Sequence, residues 1–128
     1  MKLDQECVRY LLLTIEEEVL FNQYLWIEDL LRFQLLEKYS EEELLYTVLK
    51  LKEANFIDAH IESVESGSVI TNAYVSQMTW HGHEFLDTIR DPEVWKQTKV
   101  AVSKVAGVSL SMLATVAGDL LLKKLNLS

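Results

Sequence analysis

One cysteine in 128 residues excludes an internal disulfide. No glycine-rich loop is spaced to cradle a phosphate, and no Ser, Thr or Cys stands in a pattern that pairs it with a base. An enzyme is therefore not expected, and no cofactor is called for. The opening residues, Met1-Lys2-Leu3-Asp4-Gln5-Glu6, carry acids where a secretion signal has a basic end and an apolar run. A cytoplasmic protein is expected. The uncharged run over residues 105–118 falls short of the roughly 20 residues a membrane span needs and is followed by Asp119. No membrane association is expected either.

Positive charge is also scarce. The net charge is −8, and its distribution is uneven. Residues 1–56 hold six Lys/Arg against twelve Asp/Glu, residues 57–92 one against six, and residues 93–128 five against two. An acidic body followed by a mildly basic tail repels nucleic-acid phosphates unless its few cations share one face.

About half the residues are apolar, enough for one domain with a packed core. Val8, Leu11, Leu12, Ile15 and Val19 repeat at helical spacing behind Asp4 as N-cap, which predicts a first helix from residue 4 to 18. Cys7 sits beside that stripe and reads as a small semi-buried side chain, since no basic neighbour favours a thiolate. Residues 20–39 carry mixed signals and predict a turn, a short strand or extended piece, Tyr24 to Ile27 suiting a strand, and then a helical turn built on Ile27, Leu30, Leu31 and Gln34 or Leu35. Phe21, Tyr24, Trp26 and Phe33 read as core or interface filler. Ser40-Glu41-Glu42-Glu43 is a capping box. It opens a helix burying Leu44, Leu45, Val48, Leu49 and Leu51 and ending at Ala54-Asn55, where Asn can adopt the left-handed conformation.

Alternation then predicts a hairpin. Ile57, Ala59 and Ile61 lie on one side of its first strand and Asp58, His60 and Glu62 on the other; Glu65-Ser66-Gly67-Ser68 turns; Val69–Met78 returns. Thr79 caps a helix with Phe85, Leu86 and Ile89 inward, and Asp91-Pro92-Glu93 starts the next. Beyond it, Val94, Trp95, Thr98, Val102 and Val105 predict one helical face with Lys96, Lys99 and Lys104 in solvent, broken near Gly107. A last helix from Ser109 to Leu125 follows, with Leu110, Leu113, Val116, Ala117, Leu120 and Leu121 as packing or dimerisation residues. The expected fold is α+β, mostly helical: a winged helix-turn-helix-like body at residues 1–91 and a two-helix C-terminal extension at 92–128.

Four blocks stand out together: the opening Met-Lys-x-Asp, Tyr39-Ser40-Glu41-Glu42-Glu43-Leu44-Leu45-Tyr46, Leu51-Lys52-Glu53-Ala54-Asn55-Phe56-Ile57, and Thr79-Trp80-x-Gly82-His83-Glu84-Phe85-Leu86-Asp87-x-Ile89-Arg90-Asp91 with Trp95 after it. In these the chain resembles an uncharacterised family of small phage and prophage proteins, the domain of unknown function numbered 2513. The resemblance implies a winged-helix-like domain with a helical extension and a phage-related setting, and no activity. The chain departs from the family pattern at Thr47, where a His is usual, at Asn55, where a Gly is usual, and in a longer segment over 20–38.

His81-Gly82-His83-Glu84, with His60, has the residue types of a zinc site. Residues 81 and 83 of a helix point about 200° apart, so no metal site is expected and the Thr79, Trp80, Gly82, His83 block reads as a structural turn, with His83 buried beside Trp80. Two functions remain. The favoured one is a non-enzymatic phage-type accessory protein that binds or inhibits a host or phage protein through an acidic surface, Glu41, Glu42, Glu43, Asp58, Glu62 and Glu65. The alternative is a DNA-binding winged-helix regulator, dimeric through its C-terminal helices, with Lys50, Lys52, Lys96, Lys99 and Lys104 on phosphates.

Overall fold

The apolar stripe behind Asp4 folds as α1 (Gln5–Glu18), and the Asp4 carboxylate accepts from the Cys7 amide at 3.1 Å. These elements come from a computed structural model, which describes residues 1–127. The chain forms two compact units, Met1–His83 and the residues from Glu84 on.

In the first unit, Asn22 turns the chain with φ of 63° into β1 (Leu25–Trp26) and the single helical turn α2 (Ile27–Leu30). Asp29 holds that turn by accepting from the Trp26 amide at 3.2 Å. The following segment runs in turns. Leu36 and Tyr39 are the side chains buried there, and Leu35 stays exposed. Phe21 and Tyr24, expected to be covered, are 88% and 55% exposed; they stand on the turn that leads into β1 and not beneath it.

The capping box forms as read. Ser40 Oγ accepts from the Glu43 amide and Glu43 accepts from the Ser40 amide, both at 3.0 Å, opening α3 (Glu41–Glu53). At its other end the Phe56 amide donates to Leu51 and the Asn55 amide to Lys52, with Asn55 at φ of 62°. This is the Schellman closure, with Asn in the position glycine usually takes. Leu44, Val48 and Leu51 are buried, but Leu45 and Leu49 are only half-covered, and Thr47 takes the inner position instead. Thr47 satisfies its hydroxyl on the Glu43 carbonyl at 2.8 Å.

β2 (Ile57–Val64), a 3₁₀ turn at Glu65–Gly67 and β3 (Val69–Met78) make the hairpin. The sheet is antiparallel in the order β1-β3-β2. Two register shifts occur along the hairpin, between Asp58 and Ala59 and between Glu62 and Ser63, so Ser76 and Thr71 are extra residues on β3. Each bulge resets the alternation. One face of the sheet closes the unit's core with Ile57, Ala73 and Val75 against Val8, Leu11, Leu12 and Ile15 of α1 and Leu44, Val48 and Leu51 of α3.

α4 (Trp80–Ile89) starts in the first unit and ends in the second. Asp91 then caps α5 (Pro92–Val102), accepting from the Val94 amide at 3.0 Å. That helix ends at Val102, before Gly107, and Val105 is 59% exposed. The stripe read through Val105 therefore stops one turn earlier, where Ser103 caps the helix. α6 (Leu110–Lys124), capped by Ser109, packs along α5. Lys124 Nζ lies 2.8 Å from Asp91 Oδ2. The chain is α+β and mostly helical. No helix among the described residues is long and apolar enough to cross a membrane.

Candidate functional site

The outward side of α3 is not an ordinary solvated helix face, since Leu45 and Leu49 are half-covered on it. Leu45 and Leu49, one turn apart, join Ile27 and Ile70 in the floor of a groove of about 530 Å³. Glu41, Glu42, Tyr46, Thr71, Asn72 and Met1 complete its lining. Tyr46 is fixed there by its hydroxyl, which donates to the Met1 carbonyl at 3.1 Å. Glu41 and Glu42 stand exposed in the first helical turn, where the helix dipole stabilises carboxylates. The groove thus has an apolar floor and an acidic end.

The cations of the same helix face inward tasks. Lys50 pairs with Glu53 at 3.0 Å and lies 5.4 Å from the centre of the Tyr46 ring; its hydrogen bond to Glu53 raises its ammonium above the ordinary lysine value. Lys52 Nζ donates to the Ala59 carbonyl at 2.6 Å. Lys96, Lys99 and Lys104 are exposed and belong to the other unit; Lys99 lies 5.9 Å from the centre of the Trp95 ring.

All six carboxylates of the expected acidic surface are exposed, and they come from three places. Glu41, Glu42 and Glu43 begin α3, with Glu43 engaged in the capping box. Asp58 and Glu62 lie on the outer face of the sheet, where Asp58 accepts from Gln77 Nε2 at 2.7 Å. Glu65 sits in the hairpin turn with φ of 55°.

Sequence reasoning missed what lies between Asp58 and Glu62. The register opposes Tyr74 to His60 on one side and to Trp26 on the other. The Tyr74 ring is 5.1 Å from that of His60, nearly parallel to it, 5.0 Å from Trp26 edge-on, and 4.6 Å from Tyr24. An aromatic row therefore crosses all three strands on the solvent side. Glu28 adds a third carboxylate there, accepting from Asn72 Nδ2 at 3.2 Å. The alternation of β2 carried a hint of it in His60, but partners across the sheet need the bulged register.

The Thr79 block is structural. Thr79 donates its hydroxyl to the Asn55 carbonyl at 2.6 Å, accepts from the Gly82 amide at 3.1 Å, and donates its own amide to the Phe56 carbonyl at 3.0 Å. Gly82 lies so close to that carbonyl that a Cβ would stand 2.0 Å from its oxygen. Trp80 and His83 are not buried beside one another as expected: Trp80 is 76% exposed, and His83, also exposed, points its Nδ1 to within 3.9 Å of Glu16 Oε2. The helical phase that brings Gly82 inward turns both neighbours out. Among the described residues no three His, Cys, Asp or Glu side chains converge on a metal position. Cys7 is fully buried, and its thiol is pushed up to about 11, chiefly by desolvation, with the Thr47 hydroxyl opposing the rise.

Of the residues read as oligomerisation contacts, Leu113 and Ala117 are already fully buried within the chain, while Leu110, Val116, Leu120 and Leu121 are half-covered.

A family model described as hypothetical protein, DUF2513, matches residues 2–109. No curated protein and no solved structure matches the chain.

Proposed function

We propose, for a chain that belongs to the DUF2513 family, a non-enzymatic protein-interaction module of phage or prophage type, acting in the cytoplasm and binding a basic segment of a host or phage protein. The groove on α3 is its docking surface. A basic amphipathic helix suits it: apolar side chains fill the floor made by Leu45, Leu49, Ile27 and Ile70, and cations meet Glu41 and Glu42.

The single observation that carries this reading is the composition of the outward face of α3. The element order, with a sheet of order β1-β3-β2, supports a winged-helix scaffold, in which α3 would be the helix that enters a DNA groove. Its leading turn is Glu41-Glu42-Glu43, its side is apolar, and Lys50 and Lys52 are committed to Glu53 and Ala59. The hairpin has no Lys or Arg from residue 57 to 78. Such a surface repels a phosphate backbone and attracts the kind of protein that binds one. Fold order alone favours the second reading, a DNA-binding regulator, and fold does not fix function.

The test is binding of the full chain, across a salt series, to random-sequence duplex DNA and to a Lys/Leu amphipathic helical peptide. The expected result is peptide binding that weakens with salt and is lost in Glu41→Lys/Glu42→Lys, with no DNA bound even at low salt. Tight DNA binding that falls steeply with salt refutes the proposal and supports the regulator.

A further inference from the structure

We infer that the outer face of the sheet is a second contact surface, one that stacks arginine side chains of the partner on the Tyr24, Tyr74, His60 row. This rests on the reading of the protein as an acidic interaction module and adds the chemistry of what it recognises.

Three observations meet there. Tyr74 is flanked at 4.6 Å and 5.1 Å by the rings of Tyr24 and His60, which are themselves exposed and offer their outer faces to solvent. Trp26 braces Tyr74 edge-on, so the row is held in place before anything binds. Carboxylates surround it: Asp58 and Glu62, two residues either side of His60 on the same face, and Glu28 beside Asn72. No Lys or Arg lies on either hairpin strand to neutralise them.

Rings on a sheet face also stack nucleic-acid bases. Base stacking brings phosphates with it, and here those phosphates would meet three carboxylates and no strand cation. A guanidinium satisfies both features at once, because its plane stacks on an aromatic face while its N–H groups reach a neighbouring carboxylate. An ammonium fits the charge but lacks the plane, so arginine is favoured over lysine. The occupant is an arginine-bearing segment of a protein, such as the phosphate-binding surface of a nucleic-acid-binding partner.

The experiment titrates the isotope-labelled full chain with two flexible peptides, alternating Gly-Arg and alternating Gly-Lys of equal length, and with oligo-dT, following ring and amide resonances by NMR. The expected result is that the Arg peptide shifts the Tyr24, Tyr74 and His60 ring signals and binds more tightly than the Lys peptide. Tyr24→Ser and His60→Ser, both at exposed positions, should each weaken the Arg peptide about two- to fivefold and leave the rest of the spectrum folded.

Equal binding of both peptides with shifts confined to Glu41, Glu42, Leu45 and Leu49 overturns this inference and leaves the groove intact as the docking surface. Binding of oligo-dT to the rings overturns it in favour of single-stranded nucleic acid. Failure of both peptides to bind anywhere overturns it together with the acidic-module reading.

Discussion

Replacing Gly82 by alanine sets two physical effects of opposite sign against each other. Judged by helix propensity alone, Ala in α4 is better than Gly by about 1 kcal/mol. The structure reverses that expectation. The added Cβ would stand 2.0 Å from the Phe56 carbonyl oxygen and 2.6 Å from Met78 Cγ. The methionine can swing away. The carbonyl cannot, because it accepts from the Thr79 amide and follows directly on the closed end of α3. Relieving the clash moves the start of α4 by about 1 Å or more, an overpacking strain of about 1–3 kcal/mol. The hydrogen bond from the Thr79 amide to the Phe56 carbonyl is stretched as well, at about 1 kcal/mol. Net of the propensity gain, Gly82→Ala should cost about 1–3 kcal/mol, which for a chain of this size lowers Tm by about 4–12 °C. Thermal and urea unfolding followed by far-UV circular dichroism measures it. Gly107→Ala is the control, since a Cβ there meets nothing within 4 Å, and it should change stability by less than about 0.5 kcal/mol. A Gly82→Ala variant as stable as the parent or more so would show that the close approach to Phe56 does not constrain the fold.

Three further outcomes follow from the caps and the buried thiol. Ser40→Ala removes the Oγ half of the α3 capping box and leaves the backbone amide of residue 40 on the Glu43 carboxylate; it should cost about 1 kcal/mol in urea unfolding, with the groove residues at the same helix end showing the largest amide shifts. Cys7 should resist a thiol reagent in the native protein at mildly alkaline pH and react on unfolding. Its folded value is raised from near 9 to about 11, so the stability it supports is complete below pH 9 and is lost as pH rises toward 11. Tyr39 is pushed the same way by burial, so Cys7→Ala should shrink the alkaline loss of Tm and leave a remainder. Asp91 behaves oppositely. Hydrogen bonds from Lys124, first, and the Val94 amide hold its carboxyl below the ordinary value of 3.8. The stability it contributes is present above that pH and is lost as the solution is acidified past it, so Asp91→Asn should flatten the acid limb of the unfolding profile, and a profile unchanged by the substitution would refute the assignment.

The elements that could be read from the sequence are those with local chemistry. α1 carries one clean stripe behind Asp4, α3 has its capping box and a left-handed Asn at its end, and Asp91-Pro92 marks the start of α5. The segment from 20 to 39 was legible in outline, as a turn, a short strand and a helical turn, but not in its bounds, because β1 has only two residues and α2 one turn, too short for any period to show. The extent of β3, Val69–Met78, was legible, but the facing of its residues was not: Thr71 and Ser76 are inserted against β2, so its alternation changes phase twice. The same limits governed the site. The carboxylates were legible as residue types, but Leu45 and Leu49 read as core because their spacing matches Leu44 and Val48, and only the tertiary arrangement leaves them half-covered over a groove. The row through Tyr74 depends on which residues face each other across strands, which no single-strand pattern contains.

The strand order leaves β2 at the margin of the sheet, eight residues long, and among the described residues no strand pairs with its far side. Such a margin is a template for another copy of itself, and long flat ones nucleate aggregates. Here Asp58, Glu62 and the bulges beside them keep two such margins apart, and Lys52 occupies the Ala59 carbonyl. The charges proposed above to meet a basic partner are thus also charges that repel the same edge of a second copy. A polycation added near charge equivalence should turn its solutions cloudy, and an excess of salt should clear them.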